Sequence, residues 1–271
     1  MKFRLPFAVL SIFILCSTIA KSQEIDTLID VGGYKLHFHI IKGKGIPILF
    51  ESGGGDDGSV WNRLLPYVAD TLVATLITYD RAGFGKSELD ANKHGIVNGI
   101  KGLETGLKKL GYKGNIMLVA HSLGGFYATL YASRHSKTVR AAVLIDANTS
   151  CFFTDSFVNT EEAVVKERLQ KLKLENPGVY YIYSDLRSTA DIMRETTFPL
   201  HIPVIDIVAE RTPFDGTPDD ERWKNCHQQF VMASPNRKGI IAYGSGHYVF
   251  REKPDLVFDA IVKVYLNIDQ K

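Results

Sequence analysis

The hexapeptide Ala120-His121-Ser122-Leu123-Gly124-Gly125 decides how this chain is read. The apolar run Ile116-Met117-Leu118-Val119 leads into it as a strand, and Phe126-Tyr127-Ala128-Thr129-Leu130-Tyr131-Ala132 leads out as a helix. A serine on a sharp strand-to-helix turn holds a strained backbone that projects its hydroxyl into the open. The residues two before and two after it then crowd together and must be small, and here they are Ala120 and Gly124. This is the pattern of a nucleophile elbow, with alanine where glycine is usual. Because the turn opens a helix, the Leu123 N–H faces the space beside Ser122, where it can hold a developing oxyanion with the helix dipole behind it. The competing reading is a plain serine N-cap. The strand before the serine and the helix after it favour the elbow.

Outward from this turn, the chain alternates strands and helices. Glu24 to Val31 and Tyr34 to Ile41 are alternating runs about Gly32-Gly33, a hairpin signal. Ile46 to Phe50 and Ala74 to Tyr79 are short apolar strands of the kind buried in a parallel sheet. A helix is expected over Ser59 to Leu72 and another over Ile96 to Leu110, the latter with Gly111 as its C-terminal signal. After the elbow helix, the strand Val139 to Ile145 ends in Asp146. Later come a strand over Ile202 to Ala209, a helix over Asp219 to Ala233, a strand over Gly239 to Tyr243 and a closing helix over Asp255 to Asn267. Such an order means an α/β fold, a largely parallel sheet with helices on both faces.

Residues from about 148 to 200 break this rhythm. They hold a charged helical run at Glu161 to Leu174, then Pro177, then Tyr180-Tyr181-Ile182-Tyr183, and a helix near Thr189 to Glu195. The stretch reads as an inserted helical lid. Its aromatics, with Phe152, Phe153 and Phe157, either line an acyl pocket or pack the lid onto the body.

The chain has 271 residues, 45% hydrophobic and 23% charged, which suits one large domain over 23–271 with a full core. The formal net charge is +2 with no basic block, so nucleic acid is not an expected partner. Lys2 and Arg4 precede an apolar run from Leu5 to Leu15, and Ala20-Lys21-Ser22 follows. Residues 1–22 read as a secretory signal peptide cleaved near Ser22, which leaves no stable membrane anchor and places the protein outside the cell or in the periplasm; the competing reading is an uncleaved membrane anchor, for which the apolar run is short. The remaining cysteines, Cys151 and Cys226, either pair in that oxidising compartment or stay as buried thiols.

Two glycine-bearing loops complete the pattern. Glu51-Ser52-Gly53-Gly54-Gly55-Asp56-Asp57-Gly58 follows a strand, and its bare backbone can approach a ligand closely; Gly54 is the candidate for a second oxyanion donor. It is no phosphate cradle, since no Gly-Lys-Ser/Thr follows. Gly244-Ser245-Gly246-His247 follows the last strand, and of the eight histidines only His247 has this glycine-flanked setting. His121 is expected to pack beneath the elbow, and no spacing of His, Cys and Asp suggests metal ligation. In Asp80-Arg81-Ala82-Gly83-Phe84-Gly85-Lys86-Ser87 the two charged residues are expected to pin the loop.

Taken together, the glycine loop after the third strand, the Asp80 to Ser87 loop, the Ala120 to Gly125 elbow and the Gly244 to Tyr248 loop make the chain resemble the α/β-hydrolase superfamily over essentially all of Asp30 to Leu266. The resemblance implies a mostly parallel sheet of about eight strands, Ser122 as nucleophile, His247 as general base, and Gly54 and Leu123 as oxyanion donors.

The triad acid departs from the common pattern. Many relatives carry an aspartate in the loop after the strand that here spans Ile202 to Ala209, but this chain has Glu210-Arg211-Thr212-Pro213, with Thr212 in the expected place. The other known placement is one strand earlier, where Asp146 lies. Asp146 is therefore the first candidate, with Glu210 and then Asp206 as alternatives.

These readings point to a secreted serine hydrolase that cleaves an ester or related acyl bond of a small-molecule substrate through an acyl-enzyme, with no cofactor or metal. The alternatives are a non-catalytic ligand-binding or sensing protein that keeps the pocket, or a peptidase, C–C bond hydrolase or cofactor-free haloperoxidase on the same fold.

Overall fold

A computed structural model describes residues 23–268; the expected signal peptide at 1–22 lies outside the described residues. Eight strands form one sheet: β1 (Glu24–Asp30), β2 (Lys35–Ile41), β3 (Gly45–Glu51), β4 (Ala74–Tyr79), β5 (Ile116–His121), β6 (Val139–Ile145), β7 (Val204–Ala209) and β8 (Arg237–Ala242), in the spatial order β1-β2-β4-β3-β5-β6-β7-β8. The β1–β2 hairpin is antiparallel and β2 runs antiparallel to β4. From β4 to β8 every pairing is parallel.

The helices are α1 (Leu65–Thr71), α2 (Ile96–Lys109), α3 (Gly124–Arg134), α4 (Asp155–Lys166), α5 (Leu169–Glu175), α6 (Pro177–Ser184), α7 (Leu186–Arg194), α8 (Pro218–Met232), α9 (Val249–Glu252) and α10 (Pro254–Leu266). Helix α4 to α7 all lie between β6 and β7, so the stretch that lost the strand–helix rhythm forms four short helices.

Successive side chains of a strand point to opposite faces. In β5, Ile116, Leu118 and Ala120 enter a core with Ile100, Leu103 and Phe126, while Met117 and Val119 enter a second core with Trp61, Val68 and Ile261. Both faces are covered, so all six β5 residues are buried and the strand carries no polar alternation. Parallel strands all end on one side, and that side receives the loops after β3, β5, β6, β7 and β8.

Two expectations need correction. The single helix expected over Ser59 to Leu72 is a 3-10 turn at Gly58–Trp61 followed by α1, because Pro66 suits a first helical turn and starts a new helix there. The run expected over Glu161 to Leu174 is divided between α4 and α5, and Tyr180 to Tyr183 belongs to helix α6, which Pro177 opens. Of the two readings left open for Cys151 and Cys226, the structure has the disulfide, which ties the segment before α4 to α8.

Candidate active site

Ser122 sits between β5 and α3 with φ at 52°, the left-handed region that a side chain rarely adopts. Its backbone is clamped: its N–H donates to the Ile145 carbonyl, and its own carbonyl accepts from Gly125 and Asn148 N–H. A Cβ at Gly124 would lie 2.6 Å from the Glu51 carbonyl oxygen, so glycine is required two residues after the serine. Ala120, two residues before, is fully buried and its methyl is accommodated.

The carboxyl ends of β6 and β8 bring a carboxylate and an imidazole together. His247 Nδ1 and Asp146 Oδ2 are 2.6 Å apart. Asp146 is completely buried, and its other oxygen accepts from the Ala209 N–H at 3.2 Å and the Trp223 indole N–H at 2.9 Å. A buried carboxylate oxygen without such donors would be left unsatisfied at a cost. Asp146 also has a positive φ, 43°, so its aim is fixed by a strained turn like that of Ser122. The structure brings neither alternative acid to His247. Glu210 is exposed and accepts from the Gly244 N–H. Asp206 is buried against His227, at 2.8 Å; burial is the largest influence and presses on the His227 charge, but the charge and hydrogen bond of Asp206, with help from Asp146 and Ala147, together lift the imidazole above its ordinary pKa.

Gly54 abuts Leu123, whose side chain would lie 3.5 Å from a Cβ at that glycine. Among the described residues no acceptor takes the Gly54 or the Leu123 N–H. The loop carrying Gly54 is held from below. The Arg81 guanidinium donates to the Ser52 carbonyl at 2.6 Å and also to the Gly53 carbonyl, and lies 3.9 Å from the buried Glu51 carboxylate. Asp80 accepts from Gly58 and Lys86 N–H and meets His37, so this pair pins its surroundings as its place in the sequence suggests. Burial pushes the Glu51 carboxyl up to about 7, against the opposing pull of Arg81 and a hydrogen bond from Tyr79.

Two contacts are not visible in the sequence. His121, directly before Ser122, donates its Nε2–H to the His247 carbonyl at 3.0 Å and packs its ring 4.5 Å from that of His247. Burial first, and then the neighbouring His247, keep the His121 imidazole neutral by driving its pKa well down. Trp223 reaches Asp146 from α8, 77 residues along the chain. A tryptophan in an amphipathic helix carries no sign of which acceptor its N–H will find.

Ser122 and His247 open on one cavity of about 260 Å³, with Gly54 and Leu123 in its wall. Phe153 and Phe157 line it, whereas Phe152 is fully buried and packs edge-on to Trp223 and at a tilt to Phe214, so the aromatics of this segment serve both the pocket and the packing. Among the described residues no group of three His, Cys, Asp or Glu side chains is placed to hold a metal ion. The arrangement supplies a hydroxyl, an imidazole backed by a carboxylate, and two free N–H groups, a set suited to acyl transfer.

Comparison with known proteins agrees with this architecture. A family model of the alpha/beta hydrolase fold matches residues 46–179. The uncharacterized protein YqjL of Bacillus subtilis is 28% identical over 248 residues, 90% of this chain and 94% of that one. A thermophilic esterase from Thermogutta terrifontis superposes with a TM-score of 0.65 at 18% identity, covering 90% of this chain and all of that one. An epoxide hydrolase from Vigna radiata superposes with a TM-score of 0.70 at 14% identity, over 91% and 98% of the two chains. With its eight-stranded sheet, the matched family segment and similarity that runs through nearly its whole length, the chain has the α/β-hydrolase fold and matches that family's model over residues 46–179.

Proposed function

We propose that this protein is an exported serine hydrolase that cleaves an ester or a related acyl bond. The observation that carries the reading is the 2.6 Å contact between His247 and the buried Asp146, set on the same cavity as a Ser122 held at positive φ. In the proposed cycle His247 Nε2 takes the Ser122 proton as Oγ attacks the acyl carbon. The oxyanion of the tetrahedral intermediate accepts from the Gly54 and Leu123 N–H groups. Collapse expels the alcohol, which takes its proton from His247, and a water activated by the same imidazole frees the acid from Ser122. Asp146 stabilises the imidazolium that forms in each half. A serine, rather than an aspartate, at the elbow supports acyl transfer over attack on an epoxide or haloalkane.

Helices α4 to α7 act as the lid in this reading, with Val179 and Ile182 of α6 and Leu186 of α7 in the cavity wall. Export rests on the N-terminal segment read from the sequence, and the Cys151–Cys226 disulfide suits the oxidising compartment that export implies. Hydrolysis of p-nitrophenyl esters of graded acyl length tests the proposal on protein from Gln23 onward. Turnover abolished by Ser122→Ala is the expected result. A folded protein inert to every ester and amide offered would leave the ligand-binding alternative in its place.

A further inference from the structure

The cavity above Ser122 is apolar on nearly every side, and its one acidic lining residue outside the proposed triad is Glu161 of α4. Glu161 lies one helical turn beyond Phe157, so the two side chains share a face and both reach the cavity. The other acids of α4 are occupied: Glu162 pairs with Arg187 at 2.6 Å, and Asp155 pairs with Arg194 at 3.0 Å. Glu161 makes no hydrogen bond or ion pair among the described residues. No lysine or arginine lines the cavity. Around the same space stand Phe153, Tyr183, Phe214 and Trp223, aromatic rings of the kind that attract a cation, and Phe157, whose ring already has the Arg222 guanidinium 5.4 Å from its centroid.

A lone carboxylate against aromatic walls is unfavourable unless something answers its charge. Arg168 supplies a favourable field and Asp219 an unfavourable one; burial dominates both and raises the Glu161 carboxyl above its ordinary pKa. Among the described residues no cation makes direct contact with Glu161, and a substrate can bring one.

We propose that Glu161 and the aromatic walls select substrates bearing a cationic nitrogen, so that the preferred ester carries an ammonium group on its acyl or alcohol part. The proposal deepens the hydrolase reading and rests on it for the word ester. The positive group lies at the α4 wall of the cavity, held by the Glu161 charge and by ring faces, while the acyl carbon is presented to Ser122. Anionic acyl groups, such as a succinyl half-ester, are repelled by the same carboxylate.

The test uses butyrylthiocholine and its neutral carbon isostere, S-(3,3-dimethylbutyl) thiobutyrate, which differ in charge and hardly in shape. Binding is measured near pH 8 by calorimetry on Ser122→Ala, which does not depend on turnover, with and without Glu161→Gln. Ser122→Ala is expected to bind the cation at least tenfold more tightly than the isostere, since a partly desolvated charge pair and cation–π contact act together. With glutamine at 161 the two ligands are expected to bind within about twofold of each other, and Glu161→Asp is expected to keep part of the preference. Equal binding of the two ligands by Ser122→Ala, binding of neither, or a preference untouched by Glu161→Gln overturns the proposal. Turnover by wild type is scored separately. A cation preference in binding without hydrolysis of either thioester would sink the esterase reading and leave the role of Glu161 standing.

Discussion

Glu51→Gln isolates the effect of a buried carboxylate beneath the loop that carries Gly54. Glu51 is fully buried, accepts from the Tyr79 hydroxyl at 3.0 and 2.9 Å, and has Arg81 3.9 Å away. Desolvation outweighs both partners and raises its pKa from 4.5 to about 7 in the folded chain. The folded state therefore holds a proton that the unfolded chain has already released. Stability from this group is fully present below the unfolded pKa and falls as pH rises through the folded one; above that point the slope vanishes. A shift of this size corresponds to roughly 3 kcal/mol lost between acid and mildly alkaline solution. Glutamine keeps the shape and an acceptor for Tyr79 but does not titrate. Urea unfolding followed by tryptophan fluorescence, with Trp61 and Trp223 both buried, reads the stability of each protein near pH 5 and pH 8. The difference between variant and wild type is expected to move in favour of glutamine by about 2–3 kcal/mol across that range. Comparing the two pH values removes any constant offset from the substitution itself. Parallel profiles would refute the reasoning and mean that Glu51 remains ionised through its closeness to Arg81.

Three further outcomes follow from the geometry of the site. Asp146→Asn is expected to lower kcat on an activated ester by roughly ten thousandfold, whereas Glu210→Gln and Asp206→Asn leave it within about tenfold; the three rates side by side decide the acid. Trp223→Phe removes one donor from the Asp146 carboxylate and is expected to lower kcat/KM by about 10- to 100-fold, the effect of one hydrogen bond to a buried charge; an unchanged rate would show that the Ala209 N–H suffices. Cys226→Ser opens a crosslink spanning 75 residues and is expected to cost about 2–4 kcal/mol, seen as a fall in Tm of roughly 5–10 °C by calorimetry; an unchanged Tm would mean the insertion is held by packing alone.

The fold was legible because its signals are local. Strands β3 to β7 are buried along most of their length, so they read as mainly apolar runs, and glycine marks the turns that follow β3 and β8. The closeness of Asp146 to His247 was legible because adjacent parallel strands end side by side, and the ends of β6 and β7 were the two places weighed for the acid. Long-range partners left no trace. Trp223 reaches Asp146 because α8 crosses the end of β7, and His121 holds the His247 loop across 126 residues; no spacing rule encodes either contact. The inserted helices were legible as helical but not in number, because short helices packed on a body take their ends from tertiary contact as much as from propensity. The pairing of Cys151 with Cys226 likewise depends on where α8 lies, which two cysteines cannot report.

The central claim, that Ser122 is an activated nucleophile, is tested most directly by treating folded protein with a fluorophosphonate and mapping the adduct by mass spectrometry. The account predicts one adduct, on the peptide containing Ser122, absent in Ser122→Ala and strongly slowed in Asp146→Asn. A folded protein that takes up no label, or takes it at another serine, would contradict it.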